Sequence, residues 1–197
     1  GACYRYHAAQ ERKGAAVPYL THLLSVAAIV GEYGGDEDQF IAALLHDAVE
    51  DAGGASVLAE IRTDYGDRVA EIVLGCTDTD ETPKPPWRPR KEAFIASIAH
   101  APQDARLIIS ADKLHNIRST VTELRRRGAV VWQHFTGGRD GTLWYYEAVV
   151  QALAHEWPHP ILDELADAVI SLKQAADFAD QHRGTEPPCT DTRFTHS

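Results

Sequence analysis

Helical spacing of apolar residues, interrupted by glycines and prolines, is the feature that most constrains the fold of this 197-residue chain. Apolar side chains recur three to four residues apart, and no stretch shows the sustained alternation typical of a half-buried strand. We therefore expect an all-α fold, a single helical bundle with no significant sheet. The predicted helices cover residues 22–33, 40–51, 56–65, 67–74, 90–100, 102–127, 142–157 and 160–183.

Glycine, proline and capping residues set the expected boundaries of these helices. Asp36 and Gln39 have the spacing of a capping box at the start of the second helix. Prolines at positions 83, 85, 86 and 89 exclude a continuous helix between Cys76 and Arg90 and predict an irregular loop, long enough to favour a functional role. The length fits one domain over residues 1–183, and we expect residues 184–197 to form a flexible tail.

Charge and composition exclude several classes of protein. The net charge of -10 argues against a broad nucleic-acid or anionic-membrane interface, and no apolar run approaches the roughly 20 residues of a membrane helix. Three cysteines without a CxxC pair are typical of reduced thiols, so we expect a cytoplasmic protein. The sequence contains no Met, from which we expect the native start to be missing. The oligomeric state stays open.

The segment from Ala43 to Asp51 carries the most chemical information. On a continuous helix, His46, Asp47, Glu50 and Asp51 fall on one face, opposite an apolar face. Closely packed carboxylates repel one another unless a positive centre lies among them, so this face favours a divalent cation. The alternative for an isolated His-Asp pair is a solvated acidic helix face.

Two further residues strengthen the metal hypothesis. His22 begins the preceding predicted helix, and Asp112 lies within an apolar run where a buried carboxylate needs a partner. His22, His46, Asp47 and Asp112 together form a set of two imidazoles and two carboxylates, which suits Mn²⁺, Fe²⁺ or Zn²⁺ and leaves coordination positions open.

These residues stand in an order that resembles the HD phosphohydrolases. The segments 12–14 with 18–22, 46–51 and 111–118 are more narrowly similar to the HD-domain (p)ppGpp hydrolases of the RelA/SpoT homologue superfamily, especially the stand-alone small alarmone hydrolases. The resemblance covers about residues 4–155. It implies an all-helical HD domain that uses Mn²⁺ and removes the 3′-pyrophosphate from guanosine tetra- or pentaphosphate. Too few residues follow for the synthetase domain of the bifunctional relatives, so we expect a hydrolase alone.

The resemblance and the chemistry together assign roles to individual residues. Glu50 and Asp51, one turn beyond the His-Asp pair, are expected to act as general acid/base or to orient water. The resemblance implies metal ligation by His22, His46, Asp47 and Asp112, and substrate binding by Arg12, Lys13, Lys91, Asn116 and Tyr145. Core packing is the alternative for Tyr145.

Basic side chains are concentrated in and beside these segments. The set comprises Arg12, Lys13, Lys84, Arg88, Arg90, Lys91, Lys113 and Arg118. An anionic substrate of an acidic protein needs such a cluster, because Arg and Lys bind phosphate. Two other readings remain open: the same site could act on adenosine alarmones or on the 2′-phosphate of NADPH, or the chain could be an inactive nucleotide-binding sensor.

Overall fold

Helices form the secondary structure of the part of the chain that the computed structural model describes, residues 18–81 and 83–182. They are α1 (Leu20–Glu32), α2 (Glu37–Leu45), α3 (Ala48–Ala52), α4 (Gly54–Tyr65), α5 (Asp67–Cys76), α6 (Trp87–Ile98), α7 (Gln103–Arg127), a 3₁₀ helix (Gly128–His134), α8 (Gly138–Ala154) and α9 (Ile161–Gln181). The all-α prediction without significant sheet is confirmed for these residues. The predicted substrate residues Arg12 and Lys13, and the predicted tail 184–197, lie outside them.

Local sequence sets the ends of several helices as predicted. The Asp36 side chain accepts a hydrogen bond from the backbone N–H of Gln39, whose side chain in turn accepts one from the Asp36 N–H, which completes the capping box. α7 ends at Gly128, whose φ of +65° is a conformation that residues with a Cβ rarely adopt.

Helix α7 lies at the centre of the bundle. It packs against α9, α1 and α5, and Ile108, Leu114 and Ile117 are fully buried. Burial of such side chains is the dominant stabilising contribution to a helical core. Asp112 lies on this same helix and is 6% exposed, so the apolar packing of α7 fixes the position of a buried carboxylate.

The predicted continuous helix over residues 40–51 is wrong. α2 ends at Leu45, His46 and Asp47 form a turn, and α3 begins at Ala48. His46 Nδ1 lies 2.7 Å from the Ala43 carbonyl oxygen, the acceptor that an uninterrupted helix would pair with the Asp47 N–H. The break changes the directions in which the polar side chains of this segment leave the backbone.

Other boundaries also differ from prediction. α6 begins at Trp87 and not at Arg90, because Pro89 lies in its first turn, where a helix needs no N–H donor from the residue. α8 begins at Gly138, before the predicted start at 142, and the 3₁₀ helix was not predicted. Among the described helices, none combines the length and apolarity that a bilayer crossing requires.

Candidate active site

Three separate helical elements bring the four predicted metal ligands together. His22 lies in the first turn of α1, His46 and Asp47 in the turn between α2 and α3, and Asp112 in the middle of α7. One ligand atom each from His22, His46 and Asp112 lies within 4.8 Å of the other two. Asp47 Oδ2 lies 3.0 Å from His46 Nε2 and 3.7 Å from His22 Nε2, so the fourth predicted ligand borders the same space.

The hydrogen bonds of His46 favour a cation at this position. When the imidazole is neutral, its Nδ1–H donates to the Ala43 carbonyl oxygen and Nε2 carries a lone pair. This buried Nε2 has no hydrogen-bond partner among the described residues, although Asp47 Oδ2 is only 3.0 Å away. Two acceptors facing each other at this distance repel unless a positive centre lies beside both. The donor set therefore fits a divalent metal ion.

Neighbouring side chains hold each of these ligands in place. His22 Nδ1 lies 2.8 Å from His115 Nδ1, and the hydroxyl of Tyr19 donates a short hydrogen bond to Asp47 Oδ2. Asp112 accepts hydrogen bonds from Lys113 Nζ at 2.6 Å and from Asn116 Nδ2 at 2.5 Å. Such outer contacts orient ligands and tune the metal that they bind.

The electrostatic field at the cluster favours positive charge. Burial alone would raise the pKa of Asp112, but the Lys113 ammonium and the two imidazoles lower it well below its ordinary value. Burial alone would lower the pKa of His46, but the Asp47 and Asp112 carboxylates raise it well above the ordinary value. The same field favours either a proton on His46 or a metal cation among the carboxylates.

Asp47 and Asp112 of this cluster form the floor of a cavity of about 420 Å³, whereas His22 and His46 do not belong to its described lining. Its lining includes charged, hydroxyl-bearing and aromatic side chains and a glycine. Among the lining residues are Tyr19, Asp47, Glu50, Asp51, Lys84, Trp87, Arg90, Lys91, Asp112, Lys113, Asn116, Gly137 and Tyr145. A volume of this size accommodates a small-molecule ligand.

Glu50 and Asp51 lie on the cavity wall beside the cluster. α3 presents both of them, and Lys84 from the proline-rich loop joins them: its Nζ is 2.8 Å from Glu50 Oε1 and 3.3 Å from Asp51 Oδ1. Arg90 lies 3.5 Å from Glu50 Oε1. Two carboxylates and two cations therefore share this wall.

Lys91 lines the cavity and is held by a residue that the sequence did not single out. Its Nζ lies 2.6 Å from Asp78 Oδ2, which also pairs with Arg90. Burial and the nearby Lys113 ammonium lower the pKa of Lys91, whereas Asp78 opposes that shift. Asp78 follows the end of α5 and is nearly buried, so it fixes two cations at the cavity edge.

Tyr145 and Asn116 both line the cavity and also contact charged residues of the site. The ring of Tyr145 lies below Lys91 and Lys113, at 4.7 and 5.6 Å from their Nζ atoms. Its buried hydroxyl has no hydrogen-bond partner among the described residues, and burial raises the pKa of Tyr145 to about 12. Asn116 lines the cavity and also donates to Asp112.

Two of the basic residues in the predicted cluster point elsewhere. Arg118 forms an ion pair with Glu164 and does not belong to the described cavity lining. Arg88 stacks on the Trp144 ring at 3.3 Å. The α7 position of Arg118, six residues after Asp112, turns it away from the face that carries the ligand.

Sequence reasoning left Tyr19, His115 and Asp78 without a role at the site. Tyr19 and His115 lie inside the segments that carry the family resemblance, and each precedes or follows a predicted ligand by three residues. One helical turn of separation was the available signal for both, because residues three apart share a face. Asp78 lies in the irregular loop, where no periodicity signals its direction.

Comparisons with known proteins agree with this geometry. A family model described as HD domain matches residues 2–143. The guanosine-3′,5′-bis(diphosphate) 3′-pyrophosphohydrolase MESH1 of Xenopus tropicalis is 39% identical over 115 residues, 57% of this chain and 62% of that protein. A GTP pyrophosphokinase of Streptomyces coelicolor is 37% identical over 124 residues, 62% of this chain and 14% of that protein. The chain thus spans less than two thirds of either relative.

One solved structure extends the similarity over nearly the whole chain. It is that of a metazoan orthologue of SpoT, described as hydrolysing ppGpp and acting in starvation responses. The TM-score is 0.65 at 26% identity, and the match covers 93% of this chain and 92% of the other.

Proposed function

The chain belongs to the HD domain family, and we propose that it is a metal-dependent hydrolase of guanosine tetra- and pentaphosphate. The reaction removes the 3′-pyrophosphate and yields GDP or GTP and pyrophosphate. One observation carries the proposal: the unpartnered Nε2 of His46 faces carboxylates on the floor of a cavity edged by cations. The activities named for MESH1 and for the SpoT orthologue support the choice of substrate.

The proposed metal is Mn²⁺, with His22, His46, Asp47 and Asp112 as its protein ligands. Two imidazoles and two carboxylates suit this ion and leave positions for water and substrate. When bound, the cation supplies an activated water and a positive centre for the phosphoryl oxygens. The chain's own contribution is to orient the ligands through His115, Tyr19, Lys113 and Asn116.

Glu50 and Asp51 are proposed to handle the protons of the reaction. Both line the cavity next to the ligand cluster, so each can hold or accept a proton from the attacking water. Lys91 and Lys113 supply positive charge to the cavity, and the Tyr145 ring beneath them provides a flat surface for the ribose. By resemblance, Arg12 and Lys13 border the base and Asn116 contacts the ribose region.

A substrate panel tests the proposed reaction. Purified protein with added Mn²⁺ is incubated with the guanosine and adenosine 3′-pyrophosphates, NADPH and deoxynucleoside monophosphates, and the products are separated by ion exchange. We expect pyrophosphate release from the guanosine substrates. Orthophosphate release from NADPH, preference for the adenosine substrates, or binding without turnover would each replace this proposal with a different one.

A double substitution separates proton transfer from metal binding. Glu50→Gln with Asp51→Asn should leave the metal content nearly intact and lower kcat by roughly 10²- to 10⁴-fold, with little change in KM. The matched control is Glu60→Gln with Glu71→Gln, since both of these carboxylates are exposed and lie outside the described cavity lining. Loss of metal in the first variant would place Glu50 or Asp51 among the ligands, and wild-type turnover would refute their catalytic role.

A further inference from the structure

Lys84 is held in the cavity by an unusually restricted stretch of backbone. Pro83 precedes it and Pro85 and Pro86 follow it. Proline fixes its own φ, and a residue before proline is confined to extended conformations, so the backbone at Lys84 has little freedom. The point from which this side chain enters the cavity is therefore set by the local sequence.

The cations around the cavity differ in how firmly their carboxylate partners hold them. Arg90 and Lys91 pair with Asp78, whose side chain is 7% exposed, and Lys113 pairs with Asp112, whose side chain is 9% exposed. These pairs are enclosed, and removing either partner leaves a buried charge at high cost. The cations in them are consequently fixed in position.

Lys84 is held more loosely. Its side chain is 43% exposed, and its partners Glu50 and Asp51 are 20% and 26% exposed. Ion pairs that reach solvent contribute little net energy, so exchanging one partner for another costs little. Partial burial would lower the pKa of Lys84, but its hydrogen bond to Glu50 and the charges of Glu50 and Asp51 raise it. The side chain stays charged and can still change partners.

We propose that Lys84 is a pyrophosphate-binding residue that moves from Glu50 and Asp51 to the substrate when the cavity fills. Its ammonium contacts both carboxylates, and all three side chains line the cavity that the substrate would occupy. Without it, two adjacent carboxylates would face an incoming polyanion with only Arg90 beside Glu50. With it, the substrate gains a charge-assisted contact and the carboxylates are released for proton transfer. The identity of the nucleotide rests on the proposed function, but pyrophosphate binding does not.

Binding of inorganic pyrophosphate to the Mn²⁺-loaded full chain tests this role without a nucleotide. Isothermal titration compares the wild type with Lys84→Ala, Lys84→Arg and Lys173→Ala. Lys173 is a matched control because it is similarly exposed, pairs with Glu147 and lies outside the cavity lining. We expect Lys84→Ala to weaken pyrophosphate binding roughly 10- to 100-fold, the range for loss of a charged hydrogen bond. Lys84→Arg should restore most of the affinity, and Lys173→Ala should leave it unchanged.

Two further measurements separate ligand binding from a structural role of the loop. Metal content and the midpoint of thermal unfolding should be the same in Lys84→Ala and the wild type. Unchanged pyrophosphate affinity in Lys84→Ala, an equal loss in Lys173→Ala, or absence of pyrophosphate binding by the wild type would each overturn the proposal. If the wild type binds pyrophosphate through Lys84 but hydrolyses no alarmone, the role of Lys84 stands and the proposed substrate is wrong.

Discussion

Replacement of Gly137 by alanine tests whether the aromatic wall of the cavity is closely fitted. Gly137 has φ of -78° and ψ of -5°, so its backbone suits any residue. A Cβ at this position would lie 2.6 Å from Trp87 Cη2 and 2.7 Å from Cζ2. Any loss of stability in Gly137→Ala therefore comes from the collision with the indole ring and not from backbone strain.

The size of the collision sets the expected loss of stability. Carbon atoms in contact lie about 3.5–4.0 Å apart, so the ring must move by roughly 1 Å. Its retreat is restricted, because a Cβ on Gly141 would be only 3.1 Å from the same ring and Trp144 packs edge-on against it. Overpacking of this kind costs about 1–3 kcal/mol. For a chain of this length, that corresponds to a fall in Tm of roughly 2–12 °C.

The same displacement should impair substrate binding. Trp87 is the first residue of α6, and the next turn carries Arg90 and Lys91. A shift of about 1 Å in positioning groups can cost up to roughly 100-fold in rate, so we expect a raised KM with unchanged metal content. Thermal unfolding and steady-state kinetics on guanosine tetraphosphate give the two readouts.

The matched control for this change is Gly31→Ala. Gly31 is exposed in α1. Among the described residues, no atom beyond the neighbouring helix backbone would lie within 4 Å of a Cβ at this position. Alanine there should raise the unfolding free energy by about 0.5–1 kcal/mol, because glycine inside a helix is entropically costly. Wild-type Tm and KM in Gly137→Ala would show that the wall is loosely packed and refute the argument.

Two further predictions concern a helix cap and a ligand support. Asp36→Ala should lower the urea-unfolding free energy by about 0.5–2 kcal/mol, whereas Asp36→Asn should retain most of the cap. Hydrogen bonds from Arg68 and Gln39 lower the pKa of Asp36 below 3.8. The charge-dependent part of this stability is therefore present above pH 3.8 and is lost as the pH falls through the lower pKa that Asp36 has in the folded state. Asp36→Asn should not show this loss. His115→Ala should weaken Mn²⁺ affinity roughly 10- to 100-fold by calorimetry, because His22 loses its Nδ1 partner; unchanged affinity would show that packing alone orients His22.

Local sequence patterns predicted the features that depend on interactions between residues close together in the chain. Helical periodicity, the Asp36 capping box and the stop at Gly128 each depend on neighbours within a few residues, and each is confirmed. The approach of His22, His46 and Asp112 was predicted from residue chemistry and the family resemblance, and the fold does bring them together. Their roles in metal binding remain predictions.

The features missed by sequence reasoning depend on individual side-chain contacts, one of them local and two between separate segments. The helix break at His46 follows from a hydrogen bond to Ala43 that competes with the regular helical pattern. The missing Cβ of Gly137 leaves room for the ring of Trp87, fifty positions earlier in the chain. Asp78 gains its role only when α6 places two cations against it. None of these contacts produces a periodic pattern in the sequence.

Although the chain carries a net charge of -10, the acidic and basic side chains that line its cavity balance one another. Among the described residues that line it, four carboxylates face four Lys or Arg side chains: Asp47, Glu50, Asp51 and Asp112 against Lys84, Arg90, Lys91 and Lys113. These charges balance, so the protein alone offers a polyanion little net attraction. Under the proposed function, a divalent ion bound at the floor would add two positive charges and make the cavity attractive to a pyrophosphate. An acidic protein would then bind a highly charged anion without a basic surface, and metal loading would be a condition for substrate binding as well as for the chemical step.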